Sequence, residues 1–334
     1  MIVKNDYKKI DVDIPLFFAV DDNYAPFLAV ALRSIIDNCN KEYHYSVYVL
    51  HDGLKDKTVK VFKKYEDKNF SFRFVNVKLK RLMYNSKLHT RDYYSKSTYY
   101  RLFIQNLFPK IDKALYLDSD IIVNGDISEL YFTDIENYLV GAAVEDVMQN
   151  VDVFGTYVER ALGINRNKFF NAGVLVLNLK KFREEKVESR FLKLISEFKF
   201  SVTQDEDYLN VICKDKIKYV EKEWNLSPAV HSDKKINLIH YKMDLKPWHY
   251  DGVRYGDYFW KYAVNTEVYN DLINMKNNYG EADKQKDNDT YVNLVALAEK
   301  ETVREDSYFN SLLKKTETEE AVDFDDDSLL ICRI

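Results

Sequence analysis

Asp118 and Asp120 interrupt the apolar run Leu115-Tyr116-Leu117-Asp118-Ser119-Asp120-Ile121-Ile122-Val123. A run of this kind reads as a buried strand. A bare carboxylate inside one is costly unless it is paired or holds a metal. The pattern predicts a strand that ends at Asp118 and presents both carboxylates at a sheet edge, where α/β proteins bind ligands. Side chains at i and i+2 of a strand share a face, so both carboxylates would reach one hard divalent cation. Spacing alone is weak support. Five further Asp-x-Asp pairs occur, at Asp11/Asp13, Asp205/Asp207, Asp287/Asp289, Asp323/Asp325 and Asp325/Asp327, and surface carboxylates are usually just solvated. The apolar surroundings set Asp118 and Asp120 apart.

Four other segments carry groups that could work beside that pair. Ala19-Val20-Asp21-Asp22-Asn23-Tyr24 follows an apolar run and offers hydrogen-bonding groups suited to a base or ribose; an N-cap and turn would use the same residues. Asn171-Ala172-Gly173 opens a second apolar run, and small residues there let a ligand approach the backbone closely; a bulge is the alternative. Gln204-Asp205-Glu206-Asp207 clusters carboxylates, the raw material of chemistry at a sugar carbon; an acidic first turn of a helix would look alike. His240 ends a short apolar run and could supply an imidazole. Lys246, six residues on, could neutralise a phosphate, and Trp248 offers a stacking face.

The elements that must position these groups alternate. Strands are predicted at Ile14 to Val20, Tyr45 to Leu50, Phe70 to Val77, Leu139 to Val144, Gly173 to Leu179 and Ile236 to His240. Between them lie amphipathic segments, such as Phe27, Val30, Ala31 and Ile35, a helix-like Tyr99–Leu107, and the helix Lys186 to Phe200. This alternation implies a largely parallel sheet with right-handed crossovers. Beyond Trp260 the pattern is helical and charged, which sets a boundary near residue 265: a catalytic domain over 1–265 and a helical, acidic extension over 266–334.

Composition narrows the function classes. The 26 Tyr and 20 Phe would suit sugar or base rings, although an A·T-rich genome is the favoured explanation. Three scattered cysteines make no disulfide framework or Cys-x-x-Cys metal site, and a cytoplasmic location is expected. Charged residues around the N-terminus argue against a signal peptide, and no run approaches the length of a membrane span. Peripheral contact with the inner face of a membrane stays open. A net charge of −5 gives no reason to expect nucleic acid. Residues 281–334 hold 15 acidic and 7 basic side chains, a net of −8, so the body carries +3, suited to an anionic donor. The acidic Asp323–Asp327 end reads as solvated, and the apolar Leu329–Ile334 as needing cover. Neither Gly-x-Gly-x-x-Gly nor a P-loop occurs.

Taken in order, Phe18–Tyr24, Thr98–Leu102, Leu115–Val123, Phe170–Asn178, Gln204–Asn210 and His240–Trp248 resemble glycosyltransferase family 8, which includes glycogenin and bacterial lipopolysaccharide galactosyl- and glucosyltransferases. The resemblance implies a GT-A fold: a Rossmann-like, mostly parallel mixed sheet flanked by helices. It implies a UDP-glucose or UDP-galactose donor, a carbohydrate or glycoconjugate acceptor, Mn²⁺ (or Mg²⁺), and retention at the anomeric carbon. Residue by residue, it implies Asp118, Asp120 and His240 as metal ligands. Ala19, Asp21 and Asn23 are implied at uridine, and Arg101, Ser119, Asn171 and Ala172 elsewhere on the donor. Lys246 falls at the diphosphate. Asp205 and Glu206 lie under the reacting sugar, where Glu206 is expected to stabilise a cationic sugar. Glu145 or Asp146 falls near the acceptor. Two positions depart from the family: Met243 stands where Gly is usual, and Glu206 where Gln is common. Two rival readings are a haloacid-dehalogenase-type phosphohydrolase with Asp118 as nucleophile, and a sugar-nucleotide-binding relative without catalysis. The first is disfavoured because Ile121-Ile122 replaces the usual turn after the second Asp.

Overall fold

The computed structural model describes residues 12–78, 88 and 96–316. The charged N-terminus, Asp11, most of the Tyr/Ser/Lys-rich stretch before residue 96, the Asp323–Asp327 cluster, the Leu329–Ile334 end and Cys332 lie outside the described residues.

The strands are β1 Asp13–Ala19, β2 His44–His51, β3 Phe70–Asn76, β4 Lys113–Leu117, β5 Ile121–Val123, β6 Val140–Ala142, β7 Val174–Asn178, β8 Ile217–Tyr219 and β9 Leu238–His240. Among the described residues the helices include α1 Ala25–Asn38, α2 Asp56–Lys63, α3 Ile104–Leu107, α4 Ile127–Tyr131, α5 Asp146–Asn150, α6 Asp152–Ala161, α7 Leu179–Glu184, α8 Val187–Glu197, α9 Asp205–Cys213, α10 Gly256–Ala263, α11 Tyr269–Asn278 and α12 Glu281–Thr302. Among the described residues, seven strands form one sheet in the order β3-β2-β1-β4-β7-β6-β8. Its β3-β2-β1-β4 half and the β6–β8 pair are parallel, while β7 runs antiparallel to both neighbours. This is the mixed α/β arrangement that the alternating sequence pattern predicts.

Helices cover both faces of the sheet, which is why its strands read as continuous apolar runs. Side chains alternate between two cores. Phe17, Ala114, Tyr116, Leu175 and Leu177 point into one. Leu16, Phe18, Leu115, Leu117, Val174 and Val176 point into the other.

The Asp-bearing run is not one strand. β4 stops at Leu117, the chain bends at Ser119 and Asp120, and β5 pairs antiparallel with β9 in a separate two-stranded sheet. The predicted end at Asp118 is observed, but the two carboxylates converge through the bend and not through the i, i+2 pleat. Tyr99–Leu107, read as one helix, begins as a 3₁₀ turn over Lys96–Phe103 and becomes α-helical only in α3.

The turn between α10 and α11 contains residue 265. α12 packs along α6 and places Leu294 and Ala298 in the first core. Its N-terminal half is tied to the segment after β9. Tyr250 and Tyr279 both donate hydroxyl hydrogen bonds to Asp287, at 2.7 and 2.6 Å, and the His249 and Tyr279 rings stack at 3.8 Å.

Candidate functional site

Strand ends and loops at one edge of the sheet enclose a cleft of about 1220 Å³, its open mouth included. Its lining includes Ala19 and Asp21 at the end of β1, Arg101 in the 3₁₀ turn, Asp118–Asp120 after β4, Asn171–Gly173 before β7, Asp205 and Glu206 in the first turn of α9, and His240, Lys242, Met243 and Lys246 at and beyond the end of β9.

At its floor, ligating atoms of Asp118, Asp120 and His240 lie within 4.8 Å of one another. His240 Nε2 is 3.2 Å from Asp120 Oδ1 and 3.8 Å from Asp118 Oδ2. Hydrogen bonding fixes which imidazole nitrogen faces the carboxylates. The Gly173 N–H donates to Asn171 Oδ1 at 2.9 Å, which sets the Asn171 amide. Asn225 Nδ2 donates to the same oxygen at 2.8 Å, which turns Asn225 Oδ1 toward His240 Nδ1, 2.9 Å away. His240 Nδ1 then carries a hydrogen, and Nε2 is the nitrogen that faces the carboxylates and would ligate a metal. Metal-binding histidines are typically oriented in this way. The space also depends on Gly173: a Cβ there would press on His240 Cε1 and sit 2.6 Å from Asp118 Oδ2. Two carboxylates and an imidazole suit a divalent ion such as Mn²⁺.

Cations surround the acids. The buried Arg101 guanidinium lies 3.3 Å from Asp118 and 3.0 Å from Asp205, and stacks 4.4 Å over the Tyr116 ring. Its Nε–H points at the Thr98 carbonyl, so the Asp205 contact is charge against charge without an aligned hydrogen bond. Tyr116 donates its hydroxyl to Asp118 at 3.0 Å. The Lys246 ammonium contacts Asp120 and the Tyr241 carbonyl. Burial would raise the Asp120 pKa, but Lys246 and His240 outweigh it and hold the carboxyl far below the usual range. Burial prevails at Asp205 and raises its pKa despite Arg101.

α9 begins under strain. Gln204 precedes it at φ 57, ψ −115, outside the regions open to L-residues, and conformations of this kind cluster at functional sites. The turn carries Asp205 and Glu206 into the cleft. Asp207 points the other way, accepting from Tyr157 Oη at 2.9 Å and from the Thr203 N–H at 3.0 Å. For Asp207 the first-turn reading holds.

Other expected residues divide. Ser119, Asn171, Ala172, Glu145 and Lys246 line the cleft; Asp146, next to Glu145, does not. Ala19 and Asp21 line it and Asn23 does not. Asp21 also closes the turn before α1, accepting the N–H groups of Asn23 and Tyr24 at 2.9 and 3.0 Å. Trp248 is no open platform: it is buried and stacked on Phe27 at 4.1 Å. Met243 lines the cleft with φ 54, a left-handed backbone that favours glycine. Two contributors escaped the sequence reading. Asn225 has no local signature. Lys242, which pairs with Glu145 at 2.7 Å, is visible as a lone cation just after the β9 histidine.

The model of the glycosyl transferase family 8 matches residues 15–252. A putative glycosyltransferase of Haemophilus influenzae is 32% identical over 241 residues, 71% of each chain. A lipopolysaccharide 1,2-glucosyltransferase of Escherichia coli K12 is 29% identical, over 76% of this chain and 78% of that one. The structure of the galactosyltransferase LgtC in complex with donor and acceptor sugar analogs matches with a TM-score of 0.64 at 25% identity, covering 76% of this chain and 96% of that chain. The fold is that of the GT-A glycosyltransferases, and the chain belongs to glycosyltransferase family 8.

Proposed function

We infer that this sugar transferase moves a hexose, glucose or galactose, from its UDP donor to a hydroxyl of a glycan or glycoconjugate, retaining the anomeric configuration. The observation that carries the reading is the Asp118/Asp120/His240 cluster at the floor of the cleft, with Lys246 beside it. A divalent ion bound by these three residues, Mn²⁺ or Mg²⁺, would supply Lewis-acid charge for the departing diphosphate. The protein's own groups do the rest. Lys246 offers a second positive charge to the leaving group. Ala19 and Asp21 lie where the uracil and ribose would dock, with Asn23 at the rim. Arg101, Ser119, Asn171 and Ala172 hold the donor, and Asp205 and Glu206 face the reacting sugar. Glu145 stands toward the acceptor end, with Asp146 behind it.

The names of the glucosyltransferase relative and of LgtC, bound to donor and acceptor analogs, support this choice of donor and acceptor. The free, buried Cys39 and Cys213 suit the expected reducing cytoplasm, at the inner membrane face if the acceptor is a lipid-linked glycan. No helix among the described residues is long and apolar enough to cross a membrane. The test is a panel of UDP-sugars with Mn²⁺, scored by UDP release. Turnover of UDP-glucose or UDP-galactose that is abolished by Asp118→Asn and by Asp120→Asn is expected. Unchanged turnover in those variants would refute the metal assignment, and no turnover of any UDP-sugar would refute the activity.

A further inference from the structure

Two carboxyl groups meet at one amide. Asn171 Nδ2 donates to Glu145 Oε2 at 2.5 Å and to Glu206 Oε2 at 3.1 Å. The same Glu206 oxygen accepts the Ala172 N–H at 2.7 Å. Beyond the shared amide their surroundings differ. Glu145 also accepts the Val147 N–H at the start of α5, and its other partner is the Lys242 ammonium at 2.7 Å. Glu206 receives two neutral N–H groups and has no ammonium partner among the described residues. The remaining cations of the cleft are engaged elsewhere: Arg101 lies between Asp118 and Asp205, and Lys246 contacts Asp120. One ammonium therefore serves two carboxyl groups, and like charges this close disfavour double ionisation. Glu145 holds the cation, so the proton belongs on Glu206.

We propose that Glu206 works as a neutral carboxylic acid that donates a hydrogen bond into the cleft, with the Glu145–Lys242 pair positioned to keep it protonated. Its Oε2 is occupied by two N–H donors and takes the role of the carbonyl oxygen. The hydrogen then resides on Oε1 and is available to the cavity that Glu206 lines. An acid arranged in this way presents one acceptor and one donor, as a primary amide does. Burial raises its pKa well above the usual carboxylic range; Glu145 and Asp205 act in the same sense, while the Ala172 N–H and Lys242 oppose them. The partner in the cleft is an acceptor oxygen of the bound sugar, and in naming that partner the proposal rests on the reading above. A neutral Glu206 is neither a nucleophile nor an anionic stabiliser, so the expected charge stabilisation of a cationic sugar gives way to hydrogen bonding.

Infrared difference spectra of the native protein against Glu206→Gln, recorded without donor, test the protonation directly. The carbonyl stretch of a protonated carboxyl should be present at neutral pH in the native protein and fade as pH rises. In Glu145→Gln, which removes the neighbouring charge, its midpoint should move to lower pH. UDP-sugar turnover should fall about tenfold per pH unit above the native midpoint. That alkaline fall should be missing in Glu206→Gln, whatever its absolute rate. A Glu206 band that is absent at neutral pH, or that titrates near the ordinary glutamate value of about 4.3, overturns the proposal even if turnover is observed. The band without any UDP-sugar turnover leaves the protonation standing and refutes the functional reading.

Discussion

Asn225 makes no hydrogen bond to either carboxylate of the proposed metal site, yet its removal should weaken metal binding. Its Oδ1 accepts from His240 Nδ1 at 2.9 Å, and its Nδ2 donates to Asn171 Oδ1 at 2.8 Å. All three side chains are buried. In Asn225→Ala the Nδ1–H loses its acceptor, and a buried unsatisfied donor costs about 1–3 kcal/mol. The imidazole can avoid that cost by moving its hydrogen to Nε2, but Nε2 then has no lone pair for a metal and donates to Asp120 instead. Binding a metal forces the hydrogen back to Nδ1, so the cost that the free protein escapes returns on binding. At 1.4 kcal/mol per decade, the penalty corresponds to a roughly 5- to 150-fold loss, matching the 10- to 100-fold typical of residues that orient metal ligands. Calorimetric titration of Mn²⁺ into the nucleotide-free protein is the assay. Asn225→Asp is the control: its carboxylate still accepts from Nδ1 but no longer donates to Asn171. Mn²⁺ affinity should therefore be largely kept in Asn225→Asp and lost in Asn225→Ala. Equal affinity in the native and Asn225→Ala proteins would refute the tautomer argument.

Gly173→Ala should fold yet lose Mn²⁺ binding, because the added methyl presses on His240 and Asp118; circular dichroism and the same titration check both halves. At position 243, with φ 54, Met243→Gly should change stability by less than about 1 kcal/mol, since relief of strain and added unfolded-state freedom nearly cancel. Met243→Val, β-branched, should instead lose roughly 1–2 kcal/mol, read from denaturant midpoints. Native Glu206 binds its proton more tightly folded than unfolded, so its favourable contribution is present in acid and falls as pH climbs past the unfolded carboxyl value. Glu206→Gln should accordingly gain stability relative to the native protein between mildly acidic and neutral pH; a difference that does not vary with pH would contradict the raised pKa.

What the sequence made readable follows from the range of each interaction. The strands announce themselves because both faces of the sheet are covered, leaving apolar runs such as Leu115–Leu117 and Val174–Leu177. Asp118, Asp120 and His240 are visible as polar interruptions at the ends of those runs, and the family resemblance is what joins them into one proposed ligand set. The bend at Ser119 and Asp120 was hidden because β4 and β5 are equally apolar, and nothing local tells that they belong to different sheets. Lys242 and Asn225 act through partners 97 and 54 residues away in the chain, a relation no local pattern records. Trp248 misled for the opposite reason: an aromatic ring beside candidate ligands fits a platform and a core plug equally well, and Phe27 stacks against it.

The passage of the chain from one sheet to the other between Asp118 and Asp120 also bears on the order of folding. β5 finds its partner in β9, pairing Ile121 with His240 across more than a third of the chain. Closing so long a loop is slow, and contacts of this range form late. In the proposed site the two carboxylates can be in place while the imidazole is still far away, so the complete ligand set is not there to template the early steps. Tight capture of a metal ion would instead report that the second sheet has closed. A chain released before residue 240 would keep both acids and lack the proposed third ligand, and Mn²⁺ uptake during refolding should lag behind the appearance of secondary structure.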